Sequence, residues 1–79
     1  MNGIEQRIAN VLSTSFKVDP NAIDSDVTFL ALKFDSLVLI ELSLILEKEF
    51  GTPIEDGELT DDMTINDAAE LIAAKGATV

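Results

Sequence analysis

Residues 34–51 read FDSLVLIELSLILEKEFG, and the fold turns on this stretch. Asp35 and Ser36 are both residue types that accept hydrogen bonds from the unpaired N–H groups at a helix start. Gly51 and Pro53 supply the stop at the far end. Between them run roughly fourteen helical residues, about four turns. Spacing residues at about 100° each puts Leu39, Leu42, Leu46 and Phe50 on one arc, flanked by Val38 and Ile45, and that arc faces a core. The opposite arc holds Leu37, Ile40 and Leu44 beside Ser36, with Glu41, Glu47 and Lys48 interleaved. A helix that is apolar nearly all round is either buried on every side or keeps a second apolar face for something else. In 79 residues no other layer is evident to cover that second face.

Upstream, Ile4, Ile8, Val11, Leu12 and Phe16 follow helical spacing, with Glu5, Gln6, Arg7 and Asn10 elsewhere on the wheel. Asn2 or Gly3 serves as cap, and the helix is predicted from about residue 3 to about residue 16. The connection from Lys17 to Phe34 exceeds the ~12–15 residues beyond which structureless loops become uncommon in compact domains. Asp19-Pro20 reads as a cap followed by a first-turn proline, giving one short turn through Ile23. Val18, Ile23, Val27, Phe29, Leu30 and Leu32 are the expected apolar anchors of this loop.

Downstream, residues 52–63 are acidic, with a short helical turn expected around Asp56 to Leu59 and with Ile54 and Leu59 pointing inward. Gly57 disfavours regular helix there. The aspartates lack the alternating oxygen ligands, central glycine and distal glutamate of a calcium loop, so a solvated loop is expected. Thr64 followed by Asp67 approximates a capping box. Ile65, Ala68, Ala69 and Ile72 then form an apolar stripe through about Ala74, and the alanines permit close approach of a neighbouring helix. Lys75 suits the helix C-terminus, Gly76 ends it, and Ala77 to Val79 are expected to fray.

Composition narrows the chemistry. Fifteen acidic residues against five basic ones give a net charge of −10. That argues against nucleic acid or an anionic membrane as partner and favours basic protein surfaces. There is no cysteine and no histidine, which removes disulfides, thiolate metal sites and the commonest general base. No apolar run reaches membrane-spanning length and no basic leader precedes the first helix, so a cytoplasmic monomer of one domain over residues 1–79 is expected. Any thiol chemistry would have to come from an added group.

The triplet Asp35-Ser36-Leu37, followed by Glu41-Leu42 and Leu46-Glu47-Lys48-Glu49-Phe50-Gly51, resembles the second helix of acyl carrier proteins and their peptidyl carrier relatives. The resemblance extends over nearly the whole chain, including its acidity and long first loop. It implies an all-α fold, a small antiparallel bundle of three main helices plus one short helix, with a long loop between the first and second helices. It further implies a 4′-phosphopantetheine arm, derived from coenzyme A, attached covalently to Ser36 through a phosphodiester, with Asp35 orienting the site for a phosphopantetheinyl transferase and its magnesium. The chain would then be a non-catalytic carrier of an acyl or aminoacyl thioester in polyketide, mixed polyketide–peptide or fatty-acid-type biosynthesis. Its partners would be an acyltransferase or adenylate-forming loading enzyme and a ketosynthase or condensation partner. Leu37, Ile40 and Leu44, with Glu41 and Glu47, form the expected docking face.

Fatty-acid carriers show a small pair such as Gly-Ala before the triplet, where this chain has Lys33-Phe34, and an acidic and a small polar residue after it, where Val38 and Leu39 stand. These departures predict a discrete carrier of a polyketide or mixed polyketide–peptide pathway, with recognition less dependent on charge. Bulky Phe34 and the dense aliphatics argue against shielding of a long cargo inside the bundle. The alternative is an acidic helical interaction module without a prosthetic group, in which Ser36 is a helix cap or a phosphorylation site. A hydrolase is disfavoured because Ser36 has no base beside it.

Overall fold

The computed structural model describes residues 3–76. Among the described residues three helices form, α1 (Gly3–Ser15), α2 (Ser36–Phe50) and α3 (Ile65–Ala74), with one 3₁₀ turn at Pro20–Ala22. Among the described residues no strand occurs, and Thr28 and Thr64 form an isolated antiparallel bridge. The all-α bundle with its long first connection is as the sequence predicts.

Helix α1 buries Ile4, Ile8, Val11 and Leu12 against the core. Glu5, expected on the polar side, is instead only 5% exposed. It stands four and seven residues before Ala9 and Leu12, which puts it at the edge of the buried stripe. Gly3 is helical, while Asn2 and the expected fraying of Ala77 to Val79 lie outside the described residues. Arg7, near the start of α1, meets the end of α2: its Nε stands 3.0 Å from Glu49 Oε2 and its guanidinium lies 4.4 Å over the Phe50 ring. The two helices therefore run antiparallel.

The first loop is pinned by aromatic packing and by backbone bonds. Asp19 accepts the Asn21 N–H at 2.9 Å, capping the short turn that Pro20 begins. Phe34 packs against Phe16 at 5.3 Å and Phe29 at 5.9 Å between ring centroids. Phe29 N–H donates to Met63 O (3.1 Å), Leu30 N–H to Asp61 O (2.9 Å) and Ile65 N–H to Val27 O (3.2 Å), so the loop is stitched to the segment that enters α3. Leu30 is a correction: expected as an anchor, it is 62% exposed, because its backbone rather than its side chain ties the loop down.

After α2, Gly51 adopts φ +64°, the left-handed conformation that ends helices. The expected helical turn at Asp56 to Leu59 does not form. Gly57 takes φ +89°, outside helical space, and Glu58 N–H closes a single turn onto Glu55 O. Ile54 and Leu59 are buried as expected. Thr64 and Asp67 form the full capping box of α3, and buried Ala68 and Ala69 let α3 lie against α1. Each fully buried Leu or Ile contributes roughly 1.5–3 kcal/mol, and in so small a chain that margin depends on all of them.

Candidate functional site

At the start of α2, Asp35 and not Ser36 is the cap. Asp35 has extended backbone (φ −86°, ψ −177°), its Oδ1 accepts the Val38 N–H at 2.9 Å, and its carbonyl accepts the Leu39 N–H at 3.0 Å. Ser36 is thereby the first helical residue, exposed, and its hydroxyl has no hydrogen-bond partner among the described residues. The N–H groups of Ser36 and Leu37 likewise find no acceptor there. A free hydroxyl beside unpaired N–H groups at the positive end of a helix suits a phosphodiester, so the residues present fit a phosphopantetheine arm.

Of the expected docking residues, Leu37 (69% exposed), Leu44 (53%) and Ile40 (37%) stand on the surface. Glu41 is exposed beside them. Glu47 has a different setting: half-buried, its Oε1 accepts the Ile54 N–H at 2.8 Å. The apolar departures around the triplet face inward. Phe34 and Leu39 are buried and Val38 is half-buried, which leaves Lys33 as the exposed one, held at φ +65°.

A cavity of about 310 Å³ adjoins Ser36. Its α2 wall is Ser36, Leu39, Ile40 and Ser43, and its far wall is Gly57, Leu59 and Thr60 with Asp61. Phe34 does not line it, so the expected obstruction by that ring is absent. Ser43 is 2% exposed. Its burial was readable from sequence, since it stands four residues after Leu39 and three before Leu46 on the core arc. The cavity itself was not, because its far wall is an irregular loop. Among the described residues no group of three or more acidic or sulfur or imidazole side chains is placed to hold a metal ion, and no helix is long and apolar enough to cross a membrane.

A small helical bundle with an exposed serine opening one helix and an apolar face beside it has the form of a carrier scaffold. A family model described as phosphopantetheine attachment site matches residues 6–72. The acyl carrier protein of Petrotoga mobilis is 32% identical over 71 residues, spanning 89% of this chain and 84% of its own length. Those of Rickettsia canadensis and Rickettsia rickettsii are each 34% identical over 70 residues, spanning 87% of this chain and 81% of their own. The chain belongs to the phosphopantetheine-attachment family of carrier proteins. It is a non-catalytic carrier component that bears a covalent 4′-phosphopantetheine, and it works with a phosphopantetheinyl transferase and with biosynthetic enzymes.

Proposed function

We propose that Ser36 is the attachment residue and that the chain presents an acyl or aminoacyl cargo in turn to the enzymes of a polyketide or mixed polyketide–peptide pathway, as a discrete monomeric domain. The observation that carries this is the division of labour at the start of α2: Asp35 takes the capping bond, and Ser36 is left exposed with its hydroxyl unengaged. When attached, the arm supplies a terminal thiol on which cargo is held as a thioester. The protein's own part is to fix the serine on a rigid helix end, to favour the phosphate with free N–H groups, and to keep Asp35 beside it for the transferase and its magnesium. Tethering raises the effective concentration of cargo at each partner.

Leu37, Ile40 and Leu44, with Glu41 at their side, form the docking face for the transferase, for an acyltransferase or adenylate-forming loading enzyme, and for a ketosynthase or condensation partner. Glu47 supports that face from within by fixing the end of α2. A dedicated partner set is supported by the apolar character of the face and by Lys33 at the surface three residues before Ser36. The test is intact-protein mass after incubation with coenzyme A, magnesium and a broad-specificity phosphopantetheinyl transferase. Wild type is expected to gain one phosphopantetheine and Ser36→Ala none. A gain that persists in folded Ser36→Ala, or its absence in wild type, overturns the assignment.

A further inference from the structure

Ser43 is a buried hydroxyl on the wall of the cavity that begins at Ser36, about two helical turns further along α2. Its Oγ–H donates to the Leu39 carbonyl at 2.9 Å, which commits its one proton. The oxygen retains acceptor capacity, and no donor among the described residues takes it up. Around it, Leu39, Ile40 and Leu59 make the wall apolar. Most polar groups at the far wall are engaged elsewhere, the exposed Asp61 carboxylate excepted. Thr60 N–H donates to Met63 Sδ and its hydroxyl to Asp62, the Thr60 carbonyl takes the Met63 N–H, and the Asp61 carbonyl takes the Leu30 N–H.

Such a cavity offers a tethered group apolar contact and one buried hydrogen-bond acceptor, Ser43 Oγ, with the Asp61 carboxylate at its exposed rim. We propose that Ser43 is a specificity-determining residue that favours β-hydroxyacyl cargo in the cavity over saturated or β-ketoacyl cargo of equal length. The inference rests on Ser36 as the attachment point. A β-hydroxyl donates to Ser43 Oγ while the bond to Leu39 stays intact. A β-keto oxygen cannot donate, and for Ser43 to donate to it the bond to Leu39 must be given up, so no bond is gained. A saturated chain neither gains nor loses one. One neutral hydrogen bond shifts the docked population by roughly threefold to tenfold. The cargo so favoured has the oxidation level that a β-keto reduction leaves.

The arm's own amide N–H groups are a second source of donors, and the experiment separates the two. The protein is loaded from coenzyme A or from hexanoyl, β-ketohexanoyl and β-hydroxyhexanoyl coenzyme A, and loading is verified by intact mass. The docked fraction is then read from the amide chemical shifts of Ser43, Leu59 and Thr60, in wild type and in Ser43→Ala. Alanine is the best helix former, and the variant keeps α2. The expected result is a docked fraction threefold to tenfold higher for the β-hydroxy cargo, falling to the saturated level in Ser43→Ala. Equal docking of the three cargoes overturns the inference, as does a preference that survives in Ser43→Ala, or the same shifts with the arm alone. Failure to gain mass counts against Ser36 itself and is thereby told apart from a failure at Ser43.

Discussion

The Glu47 carboxylate accepts the Ile54 backbone N–H at 2.8 Å, seven residues further along the chain. The carbonyl of the same residue receives the N–H groups of Gly51 and Thr52. One glutamate thus closes α2 and aims the chain into its return past the cavity. Removing the side chain in Glu47→Ala strands a part-buried N–H and is expected to cost about 1–2 kcal/mol. At roughly 4–8 °C per kcal/mol for a domain of this size, thermal melting shows it clearly. Glu47→Gln, which keeps an acceptor oxygen, should lose less, and an unchanged Tm for the alanine variant would return Glu47 to the docking face.

Lys33 holds φ +65° in the turn whose Lys33 N–H donates to Leu30 O and whose Phe34 N–H donates to Phe29 O. That conformation crowds a Cβ, and glycine relieves it. Lys33→Gly is expected to raise stability by about 0.5–1 kcal/mol, and Lys33→Val to lower it, since β-branched residues tolerate positive φ least. Denaturant midpoints order the three proteins. A less stable glycine variant would show that the lysine side chain contributes more to the fold than its backbone costs.

The helices were legible in the sequence because each carries its own punctuation. Asp35 and Gly51 bound α2, Thr64 with Asp67 opens α3, and the apolar spacing of α1 needs no partner to be seen. The candidate site was half legible: the arc of Leu37, Ile40 and Leu44 follows from wheel positions and is exposed, whereas Ser36 stands out only through the resemblance to carrier proteins. What stayed hidden was non-local. The bridge of Thr28 to Thr64, the outward turn of Leu30 and the inward use of Glu47 depend on which loop meets which, and no periodicity encodes that. Phe34 shows the same limit, since beside Ser36 in sequence it faces the core in space.

Glu58 Oε1 lies 2.8 Å from Lys75 Nζ and accepts the Glu55 N–H at 2.8 Å. The Lys75 hydrogen bond chiefly, then the Glu55 N–H, hold the Glu58 carboxyl below its ordinary range. A carboxyl lowered in the folded state adds stability above its unfolded value, and that stability is lost as pH falls through the folded value. Glu58→Gln should therefore melt below wild type near neutral pH, and the gap should close on acidification through the carboxylate range. A gap constant with pH would show that the ion pair contributes nothing.

Leu37 and Leu44 are exposed, so Leu37→Ser and Leu44→Ser should leave Tm within about 0.5 kcal/mol equivalent of wild type. If they form the docking face, loading by the cognate enzyme should fall roughly tenfold in kcat/KM, the loss of one apolar anchor. The wild-type rate should change little as salt rises, because apolar contact is not screened. A steep fall with salt would instead assign docking to the acidic residues.

The two walls of the cavity beside Ser36 are anchored by different means: α2 by Leu39, Leu42 and Leu46 in the core and by Arg7 at its end, the loop wall by backbone bonds. Asp61 and Met63, at the end of the loop wall, are bonded through the backbone to Leu30 and Phe29, which are themselves held by the stacked rings of the first connection. The inner side of α2 lines the pocket through Leu39 and Ser43 while its outer side carries Leu37 and Leu44. A partner that grips the outer side therefore holds the back of the same wall that the cargo would meet from within.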